Sequence, residues 1–283
     1  RGFFSLIISG ALIYGIYEKD DHERKTFDQS DNRQRYVPLV PSFVYPLFLT
    51  ALFIASSMHY GVSITIKQLL LICVDVFLHI AIYYSILLVA MPLIRRVVSS
   101  RVCGALWMLP NYLYLLEQFS LEVPEPYIVI RAPGNFLLYL LIIWLAGFVI
   151  LFAGRIISHI IARRNLLKNA RPIEDVSILE LWKQELDDVN MYKPHLQLLY
   201  SPDISTPLTL GLFACTMKVI LPATSYSSDE LKLIFRHEIV HIGRDDCWNK
   251  FFFVFCTSMC WFNPLMWSAM KKCADDLELS CDE

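Results

Sequence analysis

Uncharged, mostly apolar runs alternate with short basic connections through the first half of the chain, and a mixed polar sequence begins near Arg163. A helix needs about 20 mainly apolar residues to cross the hydrocarbon core of a bilayer. Five runs meet or approach that length: 2–17, 36–58, 69–94, 102–119 and 132–162. The first is short, the second carries Pro38, Pro41 and Pro46 in its first half, and the fourth is weakened by Pro110 and Glu117. The fifth is the cleanest, with 23 residues free of formal charge between Arg131 and Arg155. Asp75 and His79 lie four apart on one helical face of the third run and are expected near its outer end, where they reach water or headgroups.

Beyond Arg163 the periodicities change. Ile178, Leu181, Trp182 and Leu186 recur at helical spacing, which predicts an amphipathic helix over 174–190. Leu196–Tyr200, Thr206–Phe213 and Lys218–Leu221 are short strand-like runs, punctuated by Pro202, Pro207, Gly211 and Pro222, and predict a small antiparallel sheet. Ser227 followed three residues later by Glu230 has the spacing of a capping box, and Leu231, Ile234 and Phe235 begin an apolar stripe. Residues 251–270 then hold no charge for 20 positions, and 271–283 read as an acidic helix.

Composition turns the runs into a membrane protein. Of the 283 residues 55% are hydrophobic and 18% charged, against about 45–50% and roughly 25% in soluble domains. A chain this apolar is not disordered, and 25 Lys+Arg against 27 Asp+Glu leave no basic excess for direct nucleic-acid binding. The placement of the charges is informative. Segments 18–35, 95–101 and 163–171 hold five, three and four Lys or Arg, while the alternate connections hold one each, Lys67 and Arg131. Cytoplasmic connections are the basic ones, so everything after about residue 163 is expected to begin in the cytoplasm. Eight cysteines without CxxC pairs are expected to be reduced thiols that serve in packing. A start at Arg1 and an end at Glu283, directly after a charged cluster, are expected of a piece of a longer chain.

The chemistry is concentrated in Arg236-His237-Glu238-Ile239-Val240-His241. In this H-E-x-x-H sequence the two histidines project from one helical face a turn apart, which suits two imidazole ligands of one Zn²⁺, with the glutamate beside the water that the ion activates. A catalytic zinc needs a third protein ligand and an open position. Asp245 and Asp246 follow too closely in sequence to swing round easily. A ligand from a second helix is favoured, and Glu278 and Asp282 form E-x-x-x-D on one helical face. One of them can bind the metal while the other holds a ligand histidine by its second ring N–H.

TPLTLGLF and KVILP within 206–222, RHEIVHIGRDDCWNK (236–250), WFNPLMW (261–267) and LELSCDE (277–283) together resemble the BlaR/MecR-type membrane-embedded zinc metallopeptidases. The resemblance is specific over about 200–283. It implies a mainly α membrane protein, with an N-terminal transmembrane bundle over 1–162 and a cytoplasmic α+β, gluzincin-like zinc metalloprotease domain over 163–283. It also makes His237 and His241 zinc ligands, Glu238 the general base, Glu278 the third ligand and Asp282 its supporting carboxylate. Asp246 and Asn249 match positions of the family without an assigned role. The resemblance further implies a bacterial cytoplasmic-membrane location, one Zn²⁺, self-cleavage, and a cytoplasmic transcriptional repressor as protein substrate. Membrane lipid and a second copy of the chain are the other expected partners.

If one ion joins His241 and Glu278, residues 251–270 cannot cross the membrane once, because a crossing would separate the flanks by about 30 Å. A hairpin turning at Asn263-Pro264 is expected instead, since proline cannot continue the first helix. Two rival readings have different signatures. A structural zinc site in a receptor or scaffold has no need of Glu238. A processing protease of the prenyl-protein or stress-response type places more membrane before its third ligand than the 37 positions between His241 and Glu278 allow.

Overall fold

The structure is a computed structural model that describes residues 44–109, 134–189, 191, 196–212, 216–244 and 246–282. The expected run 2–17, the start of 36–58 and most of the second half of 102–119 lie outside the described residues, as do the side chains of Asp75 and Asp282. Among the described residues, 44–154 and 252–280 form one compact unit and 155–251 with 281–282 a second.

The first unit is helical. Helix α1 (Val44–Tyr60) leads through Gly61, whose φ of 83° suits a residue without Cβ, directly into α2 (Val62–Ile94). The second helix therefore begins before the expected 69. Helix α3 (Ser100–Met108) is capped by the Ser99 side chain and buried from Val102 to its end. Tyr83 and Tyr84 of α2 donate to the Leu106 and Trp107 carbonyls at 3.0 and 2.8 Å, taking up backbone acceptors at the helix end. Helix α4 (Phe136–Lys168) is 33 residues, about 50 Å long, and runs through the boundary expected at 162. No proline interrupts it, and its arginines can be solvated without breaking the backbone ladder. By length and composition two described segments can cross a membrane, Val76–Ile94 and Leu138–Lys168.

The apolar stretch 251–270 is not one helix. Helix α7 (Asp246–Met259) stops, a turn occupies 260–263, and α8 (Pro264–Asp282) begins. The break falls where it was expected, but Pro264 opens the second helix instead of ending the first. It occupies the first helical position, where its missing N–H leaves no bond unmade, and the Asn263 side chain accepts from the Leu265 N–H at 3.0 Å. Trp144 donates to the Met259 carbonyl and Trp261 to that of Trp144. Gly147 lets the Trp261 ring lie against α4 where a Cβ would collide with it.

The second unit is a sheet with helices. Strand β1 (Arg171–Pro172) precedes α5 (Val176–Asp188), which Asp175 caps; β2 (Gln197–Ser201), β3 (Leu208–Leu210), β4 (Lys218–Pro222) and α6 (Ser228–Gly243) follow. The strand order is β1-β2-β4-β3, with β2 and β4 parallel and the other two pairs antiparallel. The sheet is thus mixed, a correction to the antiparallel sheet expected from the short strands. The reason lies in β4: Val219 to Pro222 are all buried, which selects the centre of a sheet. Strand β3 pairs with it from outside as one arm of a hairpin, leaving β4 to run alongside β2.

Candidate metal centre

Helix α6 is fixed before its histidines are considered. The Ser227 hydroxyl accepts from the Glu230 N–H and the Glu230 carboxylate accepts from the Ser227 N–H at 2.8 Å, so the expected capping box is present. Donation by the Ser227 N–H and, second, by its hydroxyl holds the Glu230 carboxyl below the usual carboxylate range. Leu231, Phe235, Ile239 and Ile242 enter the core of the second unit, with the Phe235 ring edge-to-face on Trp182 of α5 at 4.9 Å. Arg236 pairs at 2.8 Å with Glu185, a buried acid on α5. With that face committed to the core, His237 and His241 are presented together on another.

Their Nε2 atoms lie 3.2 Å apart. Two nitrogens bound to one tetrahedral zinc at about 2.05 Å are separated by about 3.3 Å, so the pair fits a shared ion without rearrangement. The Asp246 carboxylate lies 2.7 Å from His241 Nδ1, which places the ring proton on Nδ1 and leaves the Nε2 lone pair for a metal. Asn249 donates to the other oxygen of Asp246 at 3.0 Å, fixing the carboxylate in turn. Asp246, which closeness in sequence argues against as a metal ligand, instead reaches the outer nitrogen of His241. Helix α6 ends at Gly243 and α7 begins at Asp246 itself, so the Asp246 side chain reaches His241 from the first residue of the next helix. His241 is thus held at Nδ1 by Asp246, with Asn249 behind it.

Glu238 is buried, 4% exposed, and accepts a 2.6 Å hydrogen bond from the Thr209 hydroxyl on β3. Nothing in the sequence singles out Thr209; only the packing of α6 against β3 does. The Cys281 thiol lies 3.6 Å from His241 Nδ1, and His241, Asp246 and Cys281 bring ligand-type atoms within 4.8 Å of one another. Because Asp246 and Cys281 both address Nδ1, they stand on the opposite ring edge from the nitrogen that faces His237. Cys247 donates to the Thr209 carbonyl at 3.9 Å, and burial pushes its thiol up. Glu278 is exposed on α8, one turn before Cys281.

Residues 115–283, more than half of the chain, match the family described as BlaR1 peptidase M56. The chain belongs to this family. Among curated relatives, the regulatory protein BlaR1 of Bacillus licheniformis is 27% identical over 142 residues, half of this chain and 23% of that protein. The methicillin resistance mecR1 proteins of Staphylococcus aureus and Staphylococcus epidermidis are each 29% identical over 98 residues, 33% of this chain and 16% of theirs. The chain thus matches less than a quarter of the length of these relatives. The part matched to the family includes the H-E-x-x-H helix and its surroundings.

Proposed function

We propose that this chain is a membrane-embedded, zinc-dependent endopeptidase of regulatory type that cleaves itself, a cytoplasmic repressor-type protein, or both. One observation carries the reading: a buried glutamate, hydrogen-bonded by Thr209, stands in the same helical turn as two histidines whose Nε2 atoms converge at 3.2 Å. His237 and His241 hold the ion through Nε2, and Glu278 is its third ligand. Support for Glu278 comes from Cys281, three residues on in the same helix, whose thiol reaches His241; three residues advance a helix by about 4.5 Å. Asp282 then lies one turn beyond Glu278 as its supporting carboxylate.

When bound, zinc supplies Lewis acidity, lowering the pKa of a water toward about 7 and polarising the scissile carbonyl. Glu238 takes the proton of the attacking water and returns it to the leaving amine. Thr209 orients the carboxylate through the oxygen that it occupies. Strand β3 is the outer strand of the sheet, and among the described residues no strand pairs with its other edge. An extended substrate segment adds there as a further strand, passing beside Glu238. Strand β4 is central and has no free edge.

The basic connections favour five spans with the protease part on the cytoplasmic side, in a bacterial cytoplasmic membrane. Residues 251–270 turn back at 260–263 without crossing. A structural zinc site is the weaker reading, although thiolates are typical of such sites: Cys281 faces the nitrogen of His241 that Asp246 already holds, and a structural site leaves the buried Glu238 without a task. The test is a comparison of wild type with Glu238→Gln and Glu278→Ala in native membranes. Glu238→Gln is expected to keep zinc and lose cleavage by about 10²–10⁴-fold, while Glu278→Ala loses zinc. Protein fragments that persist in the Gln variant overturn the assignment of Glu238 as base.

A further inference from the structure

Asp276 is the most deeply buried acid among the described residues, 1% exposed in the middle of α8. Both of its oxygens are used. Oδ1 accepts from Arg95 Nη2 at 2.6 Å, at the end of α2, and Oδ2 accepts from Trp107 Nε1 at 2.8 Å, at the end of α3. Trp107 is itself fully buried, and its carbonyl is held by Tyr84 of α2. One turn earlier on α8, the Cys273 thiol donates to the Gly104 carbonyl at 3.3 Å, and a Cβ at Gly104 would come within 3.1 Å of Leu277. Cys273, Asp276 and Leu277 thus form one face of α8, seated on α3.

That seating sets the rotation of α8 about its axis. Residues two apart on an α-helix are about 200° apart around it, so a helix whose Asp276 points into the first unit turns Glu278 to the opposite side, where it is exposed. Apolar contacts alone hold such an angle weakly, because neighbouring rotations bury similar area. A carboxylate bonded by two different donors from two different helices has one solution, and removing either donor leaves a buried charge short of a partner.

We infer that Asp276 is the positioning residue for Glu278, with Arg95 and Trp107 fixing through it the rotation at which α8 presents its glutamate. The inference rests on the reading of Glu278 as a metal ligand given above. It is tested on the full chain in lipid nanodiscs with Trp107→Phe, which keeps an aromatic ring but removes the indole N–H and some volume, Arg95→Met, which removes the charge, and Arg95→Lys, which restores it. Zinc affinity is measured by competition with a chromophoric chelator, and amide exchange over 274–281 is followed in the zinc-free chain.

Trp107→Phe and Arg95→Met are expected to bind zinc about tenfold more weakly, the lower end of what supporting residues of metal ligands show, with faster exchange over 274–281. Arg95→Lys is expected to stay within about twofold of wild type. Phe252→Leu, a core change in the same unit that removes neither hydrogen bond of Asp276, serves as the stability control and leaves zinc affinity unchanged. Zinc binding within twofold of wild type in both Trp107→Phe and Arg95→Met overturns the inference, and so does an equal loss in Phe252→Leu. Failure of the ligand reading shows separately, as wild-type zinc affinity in Glu278→Ala.

Discussion

The two units bury apolar surface by different means. In the second, sequence pattern and burial agree: Leu231, Phe235, Ile239 and Ile242 are inside, while Asp229 and Glu230 are exposed. In the first, the outside is as apolar as the inside. Ile142, Ile143 and Ile150 of α4 are 52, 58 and 69% exposed, while the core is made of Met, Cys and aromatic side chains such as Met91, Cys103, Trp107 and Met266. Lipid tails are as apolar as leucine, so hydrophobicity gives helices in a bilayer little reason to choose one partner over another. The first unit accordingly uses directional pins: Tyr83 and Tyr84 on carbonyls of α3, Trp144 and Trp261 on backbone oxygens, and Arg95 and Trp107 on Asp276. Water sorts the side chains of the second unit; named hydrogen bonds sort the helices of the first.

The largest effect that can break this comparison is on packing. Phe235→Ala is expected to cost about 3–5 kcal/mol through lost transfer energy and an unfilled cavity, read as earlier local unfolding of β4 by amide exchange. Ile150→Ala in nanodiscs is expected to stay within about 0.5 kcal/mol of wild type. An equal loss at both positions would mean that α4 is packed like a water-soluble core helix.

Next in size is the support of the metal site. Asp246→Ala should weaken zinc binding by about 10–100-fold, and Asn249→Ala by less, because it leaves the carboxylate in place. Chelator competition reads both, and unchanged affinity in Asp246→Ala would remove Asp246 from the site.

The smallest effect sharpens the second unit alone. Ser227→Ala is expected to destabilise α6 by about 1 kcal/mol. The Glu230 carboxyl lies below its ordinary value of 4.5 because Ser227 donates to it. Its contribution is therefore complete above that value and is lost as pH falls through the lower, folded value. Amide exchange of the first turn of α6, compared with Glu230→Gln at each pH, should show a step in the wild type that the variant lacks.

Much of the metal centre was legible because it is local. The pair His237 and His241, the glutamate between them and the capping box are set by spacings of three and four residues, which helix geometry converts directly into a shared face. The helix over 174–190 and the three strand runs were legible for the same reason. The partners of a strand were not, since alternation does not say which neighbour it has; the mixed sheet follows from the burial of β4. The work of Asp246 was not legible because the contact with His241 Nδ1 depends on how the first residue of α7 is placed beside α6.

By itself, then, the sequence determined that this protein is largely apolar, that its more polar part carries an H-E-x-x-H helix, and that 251–270 is broken near Asn263-Pro264. Those are properties of composition, period and backbone chemistry. Only the tertiary structure decided that Asp246 holds His241, that Thr209 holds Glu238, and that a buried Asp276 ties α2 and α3 to the helix of Glu278. Each of these joins residues through space by one directional hydrogen bond, and the direction of a hydrogen bond is fixed by where helices and strands end up, not by their order along the chain.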